Sequence, residues 1–408
     1  MWDPRDVDFP TQAQLENLRY YKYAAEDKSF VSRYILRHYW NWAVTLFPTW
    51  IAPNLITLIG LGFMMFNVLL IVLYVPDLGA DNTPQWLYFS FAAGLWLYST
   101  LDNVDGKQAR RTNTSSPLGE LFDHGCDALN CTFVVLLQAA ALGLGHSAST
   151  AILLVVTIIG FYLSTVEEYY TGVLYLGYVN GPTEGIIVSC LAFVWSGCFG
   201  ASWWQQSAQE LLPFLPDGLS FADVFVWGMV FFFLVTHCPM CFYAIYQACR
   251  TKSLSRTCTF TTIIYPFTSY SLAIYFWLSS PYSIIFKEQH MILFSLYFGL
   301  LFGLMASNII LAHLTRSEFP GFSSVLASPW FMVVCVNAPA IIGIRIISPA
   351  WEYRLLWAMF IMAFAYYSVW VSLVIVEEET EAESLLDAQE NGSSQDLNNK
   401  QPSYNTFH

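Results

Sequence analysis

The chain has 408 residues, of which 56% are hydrophobic, 17% aromatic and only 12% charged, with a mean hydropathy of +0.47. Soluble domains carry about 25% charged residues, and the net charge of −13 runs against nucleic-acid binding. Composition therefore excludes a soluble globule, a disordered chain and a nucleic-acid binder, and it predicts an all-α polytopic membrane protein.

Residues 1–48 are polar and aromatic and contain no signal-peptide h-region. Between Leu15 and Trp42, Arg19, Lys22, Lys28, Arg33 and Arg37 alternate with Tyr20, Tyr21, Tyr34, Ile35, Leu36 and Trp40. This pattern predicts an amphipathic helix lying in the membrane interface. Ten hydrophobic spans are expected next, near 55–76, 85–104, 126–145, 149–167, 184–201, 221–247, 262–280, 290–313, 327–348 and 351–376. Cys238 and Cys241 form a C-x-x-C beside Pro239 in an apolar run, where they read as small packing residues. After Val376 the cluster Glu377, Glu378, Glu379, Glu381 and Glu383 opens an acidic segment, 377–408, expected to be a disordered tail.

Fourteen of the Lys and Arg residues fall on one side of these spans, against Lys287 and Arg354 on the other. Positive charge marks the cytosolic side, so both termini are expected there. The sequons at Asn113, Asn130 and Asn391 are then expected to be unglycosylated.

One stretch breaks the apolar pattern, LDNVDGKQARRTNTSSPLGELFDHGCDALN from Leu101 to Asn130. Asp102 and Asp105 end the second span, and Asp123 and Asp127 begin the third. Helical spacings of three and four put each pair on one face, so a hairpin of the two helices brings four carboxylates together. Such a cluster in low dielectric is costly without compensation. Hard divalent cations, Mg²⁺ or Mn²⁺, suit an oxygen-rich cage and commonly hold substrate phosphates. The residues therefore predict a metal site for a diphosphate at the membrane surface, with Gly106 and Gly119 leaving room for close approach.

The same residues, Asp102, Asp105, Gly106, Ala109, Arg110, Gly119, Asp123 and Asp127, spell D-x-x-D-G-x-x-A-R-x8-G-x-x-x-D-x-x-x-D. This resembles the signature of the CDP-alcohol phosphatidyltransferase family at every position. WIAPNLITLIG at 50–60, GKQARRTN, SPLGELFDHGCD, VEEYYTGVLYLG at 166–177, GPTEGIIV at 181–188 and ILAHLT at 310–315 more narrowly resemble the eukaryotic choline/ethanolamine phosphotransferases. The resemblance implies transfer of phosphocholine or phosphoethanolamine from its CDP derivative to diacylglycerol, with release of CMP. It implies two Mg²⁺ (or Mn²⁺) ions on Asp102, Asp105, Asp123 and Asp127, with Asp102 and Asp123 bridging. It also implies an endoplasmic reticulum (or Golgi) membrane and a homodimer.

Two residues are candidates for the proton of the acceptor hydroxyl. Asp127 holds the family's usual position for that role, while the His124 imidazole is better matched to neutral pH and is favoured, leaving Asp127 as a ligand. Gly106, Ala109, Arg110 and Gly119 resemble the nucleotide-binding face, with Lys107 and Asn54 as further phosphate or nucleotide contacts. Glu184, Glu168 and Tyr169 are candidates for the cationic head group. Residues 49–200 are expected to hold the catalytic helices, and 201–376 to supply packing, lipid access and dimerisation.

Two other readings fit less well. A transporter would place its acids at the midplane of inverted repeats, whereas these lie in one hairpin at one face. Transfer of a free alcohol onto CDP-diacylglycerol shares the signature, but chain length and local sequence disfavour it.

Overall fold

The computed structural model describes residues 11, 14, 17–18, 23–81, 83–210, 213, 215–321 and 324–398, the last from 377 onward as backbone. Leu15, Arg19, Tyr20, Tyr21 and Lys22 of the expected leader helix, and 399–408 of the expected tail, lie outside the described residues. The leader contributes a strand, β1 (Ala25–Asp27), then a π-helical turn (Ser32–Leu36) that runs into α1 (Arg37–Ala43). There follow α2 (Pro53–Tyr74), α3 (Trp86–Thr112), α4 (Pro117–Leu142) and α5 (Ala148–Thr171). A second strand, β2 (Leu174–Leu176), precedes α6 (Ile186–Phe199), α7 (Phe221–Phe232), α8 (Cys238–Thr251) and α9 (Arg256–Leu278). The chain ends with α10 (Met291–Leu314), α11 (Ala327–Ile342) and α12 (Pro349–Asn398).

Among the described residues, eight helical stretches are long and apolar enough to cross a membrane. The fold is an all-α polytopic membrane protein. Each of the ten expected spans coincides with helix, but α3 and α9 fall outside those eight because polar residues dilute their apolar character.

The boundaries differ from the hydropathy reading in an instructive way. Span two was expected to stop near 104 and span three to start near 126, yet α3 continues to Thr112 and α4 begins at Pro117. The acids that lower the hydropathy are helical residues and not a connecting loop. The connection is only 113–116. Asn113 ends α3 in the left-handed conformation, φ 56°, which Asn tolerates better than most residues. Ser116 then starts α4 by accepting a hydrogen bond from the Gly119 amide at 3.1 Å, with Pro117 in the first turn. Replacing Ser116 by Ala is expected to destabilise the protein by about 1 kcal/mol, read as a lower unfolding temperature of the solubilised protein.

Span six is interrupted. Between α7 and α8 lies a π-helical turn, Phe233–His237, immediately before Pro239, whose missing N–H and bulky ring disturb the regular ladder. Cys238 and Cys241 there are free thiols. In the last helix, the backbone of α12 stays helical past Val376 to Asn398, in a sequence rich in the helix formers Glu, Ala, Leu and Gln.

Lipid offers no hydrophobic gain for helix association, so close approach and buried polar contacts hold such bundles. Helix α10 is the central post, with 78% of its apolar window buried. A Cβ on Gly299 would come within 2.4 Å of Thr132 Oγ1, so glycine lets α10 lie directly on α4. The hydroxyls of Tyr162 and Tyr270 donate to the carbonyls of Ile263 and Phe298, each at 2.8 Å. The buried Glu352 carboxylate accepts from Trp277 Nε1 and Ser283 Oγ at 2.9 Å and from the Ile284 amide at 3.3 Å, tying α9, its following loop and α12.

The leader fastens to the ends of several helices in turn. Asn17 Nδ2 donates to the Thr315 carbonyl at 2.9 Å, after α10. Strand β1 pairs in parallel with β2, Glu26 facing Tyr175. Ser29 Oγ donates to Glu184 Oε1 at 2.5 Å at the start of α6. Leu36, Trp40 and Ala43 then turn inward, Ala43 packing with Ile56, Leu101 and Val104, while Tyr34, Ile35 and Trp42 stay exposed. This one-sided packing is the arrangement of an interfacial amphipathic helix.

Candidate active site

The short α3–α4 connection folds the two acid-bearing helix ends against each other. Carboxylate oxygens of Asp102, Asp123 and Asp127 lie within 4.8 Å of one another. The fourth acid stands beside this triangle in a different bonding environment. Asp105 is buried, and its carboxylate accepts hydrogen bonds from Thr57 Oγ1 of α2 and from the Gly106 amide. Asp127 is also held, accepting from the Tyr98 hydroxyl at 2.6 Å. By contrast Asp102 Oδ1 and Asp123 Oδ1 are buried with no hydrogen-bond partner among the described residues.

Buried polar atoms are almost always paired, and a carboxylate oxygen left bare among other carboxylates is costly. Two such oxygens on acids of one cluster fit a divalent cation, which would supply the missing partner for both. Oxygen-only donors suit Mg²⁺ or Mn²⁺. These residues therefore fit the metal expected of them, and Asp102 and Asp123 are the pair with bare oxygens that it would satisfy.

His124 points away from the triangle toward α5. Its Nδ1 stands 3.8 Å from Glu168 Oε2, and Glu120, one turn earlier on α4, joins them so that the three offer ligand-type atoms within 4.8 Å. All three are buried. The turn of about 100° per residue separates Asp123 and His124 into two adjoining clusters, one of carboxylates alone and one with an imidazole.

The expected nucleotide face falls into two pairs. Arg110 arches over Gly106, where an added Cβ would lie 3.7 Å from its Nη1. Asn54 sits beside Gly119, its Oδ1 3.8 Å from where a Cβ would be. Asn54 lies inside the first turn of α2, while Ala52 occupies the cap position. The Ala109 carbonyl accepts the Thr114 amide at 2.9 Å and closes the end of α3. Lys107 Nζ donates to Asn41 Oδ1 of α1 at 2.9 Å. Arg111 and Gln108 bond to carbonyls of Val44, Phe47, Pro48 and Ile51. The end of α3 thus anchors the leader as well as bearing acids.

The three residues expected around the head group each have a partner of their own. Glu184 accepts from Ser29 and from the Asn180 amide at 2.9 Å, so it fastens the leader. Tyr169 donates to the Ser317 carbonyl at 2.6 Å and packs on Tyr170 and Phe319. Glu168 faces His124.

Four neighbours of the site escaped the sequence reading: Thr57, Tyr98, Glu120 and Tyr23. Tyr98 and Glu120 each stand four residues before an identified residue, Asp102 and His124, and that spacing was a usable signal. Thr57, three residues after Asn54, carried the same signal, whereas no local pattern pointed to Tyr23. Tyr23 is 54% exposed, and partial burial, then the charges of Asp123 and Glu168, raise its hydroxyl above the usual phenol range, with Arg110 opposing. Tyr23 places the leader within electrostatic reach of both clusters.

A family model for CDP-alcohol phosphatidyltransferase matches residues 50–205, the segment that contains the acids of both clusters. The chain is 36% identical to Choline/ethanolaminephosphotransferase 1 of Saccharomyces cerevisiae over 340 residues, 80% of this chain and 84% of that one. It is 33% identical to Choline/ethanolaminephosphotransferase 1 of Arabidopsis thaliana over 345 residues, 82% and 87% of the two chains. Against Cholinephosphotransferase 1 of Rattus norvegicus the identity is 34% over 324 residues, 78% of each chain.

Proposed function

The chain belongs to the CDP-alcohol phosphatidyltransferase family, and from that premise we propose that it moves phosphocholine, phosphoethanolamine or both from the CDP-alcohol to 1,2-diacylglycerol. The products are phosphatidylcholine or phosphatidylethanolamine and CMP. The observation that carries this reading is the triangle of Asp102, Asp123 and Asp127 with its two bare buried oxygens, set beside Arg110 and Gly106. An acid cage next to a guanidinium and a small-residue surface suits a nucleoside diphosphate.

When bound, Mg²⁺ or Mn²⁺ neutralises the bridging phosphates and the charge that develops in transfer. Asp102, Asp105, Asp123 and Asp127 would hold it, as two ions. Arg110, Lys107, Asn54 and the small residues Gly106, Ala109 and Gly119 orient the nucleotide and its phosphates. The diacylglycerol oxygen bonds to the phosphorus that carries the head group, and the bond from that phosphorus to the CMP oxygen breaks. His124 takes the hydroxyl proton. Glu168, whose Oε2 stands 3.8 Å from Nδ1, stabilises the imidazolium that forms, which leaves Nε2 for the substrate. Asp127 is already engaged by Tyr98, which supports its assignment as a ligand rather than the base. The second half of the chain packs α10 and α12 behind the site and offers surface for lipid access and for a homodimer. Membership of this family supports an endoplasmic reticulum location with the site facing the cytosol, and the distribution of basic residues supports that orientation.

The test is head-group transfer by purified protein with diacylglycerol and Mg²⁺, given radiolabelled CDP-choline or CDP-ethanolamine in parallel. Lipid product from either donor, abolished by EDTA, is the expected result, and the ratio of the two ranks the head groups. No product from either donor with folded protein overturns the reading. In the same assay Glu168→Gln is expected to lower kcat about 10- to 100-fold, the usual cost of losing a partner that orients a functional histidine, with KM for the donor little changed.

A further inference from the structure

We infer that two hydroxyls, Tyr98 on α3 and Thr57 on α2, are positioning residues that pre-set Asp127 and Asp105 for the metal ions. The inference rests on the reading of the acid cluster as a metal site and adds residues to it.

The four acids divide cleanly by their partners. Asp127 and Asp105 each accept a hydroxyl hydrogen bond, whereas Asp102 and Asp123 each keep a bare buried oxygen. Before any cation arrives, like charges this close push their carboxylates apart. An aspartate is free to swing about two side-chain bonds in response. A donor fixed in a neighbouring helix opposes that swing, and it does so at the two acids that have one.

Tyr98 is 1% exposed and its hydroxyl needs an acceptor. Elsewhere in this fold the equivalent need is met by backbone, as Tyr162 and Tyr270 show by donating to carbonyls. Tyr98 instead donates to a carboxylate of the acid cluster, at the 2.6 Å typical of a charge-assisted bond. That bond takes Oδ1 of Asp127 and not Oδ2. Thr57, 2% exposed, donates to Asp105 from another helix while the Gly106 amide holds that carboxylate's other oxygen, so α2, α3 and α4 are all needed to present the acids. Partners of this kind typically change metal affinity 10- to 100-fold when removed.

The test is Mn²⁺ binding to the purified full-length chain in detergent, without substrate, followed by the free-ion paramagnetic resonance signal. Tyr98→Phe and Thr57→Val are expected to weaken binding 10- to 100-fold, while Thr57→Ser, which keeps the hydroxyl, binds as the unmodified chain does. Transfer activity of both weakened variants should return as Mg²⁺ is raised, with KM for the donor unchanged. Should Tyr98→Phe not fold, the Thr57→Val and Thr57→Ser pair decides alone. Binding within twofold of the unmodified chain in Tyr98→Phe and Thr57→Val overturns the inference. Failure of the unmodified chain itself to bind Mn²⁺ overturns the metal site beneath it.

Discussion

Asp123→Asn is expected to abolish head-group transfer, by ~10³-fold or more, while leaving the protein without metal as stable as before or more so. The opposition of the two effects follows from the site. Asp123 shares a half-buried triangle with Asp102 and Asp127 and has a buried oxygen with no partner among the described residues. In the absence of a cation, that carboxylate brings desolvation cost and repulsion without return. The amide of Asn has nearly the same shape, no charge, and an N–H₂ that donates to either neighbouring acid. For catalysis the same change removes a charged ligand at the point where phosphate charge is neutralised. The two measurements are the unfolding temperature in EDTA and transfer in excess Mg²⁺. A variant that loses both stability and activity would mean that Asp123 is structural. Retained activity would mean that the metal sits elsewhere.

His124→Ala is expected to lower kcat by about 10² to 10⁴-fold, the range for a general base, with Mn²⁺ binding unchanged. The separation of His124 from the carboxylate triangle is what makes binding and turnover dissociable. The imidazole faces Glu168 and Glu120 and not the acids that hold the ion. The activity of the unmodified chain should fall toward acid as the imidazole is protonated, and His124→Ala should lose that limb of the profile. If Asp127 were the base, Asp127→Asn would behave this way and His124→Ala would cost little. The Tyr98 bond at 2.6 Å argues against that, because a carboxylate already accepting a strong hydrogen bond is a poorer proton acceptor.

Much of this was legible in residue order. Runs of apolar residues near the length of a bilayer gave the membrane fold, and spacings of three and four gave the pairing of Asp102 with Asp105 and of Asp123 with Asp127. Hydropathy misplaced the ends of α3 and α4 because the acids needed for the site lower the average without breaking the helix. The same averaging leaves α3 and α9 below the measure for a span. Glu184 was legible as an acid in an apolar setting, but its partner, Ser29, lies 155 residues away. Its place in fastening the leader was therefore hidden.

The sequence by itself determined which side chains share a helix face, because helical periodicity is local and every residue it relates lies within a turn or two. Only the tertiary structure decided what each acid meets across the helices. Thr57 reaches Asp105 over 48 residues of chain and Tyr98 reaches Asp127 over 29. Contacts of that kind depend on the angle and depth at which α2, α3, α4 and α5 pack, and packing is set by the whole set of side chains at the interfaces, not by any local pattern.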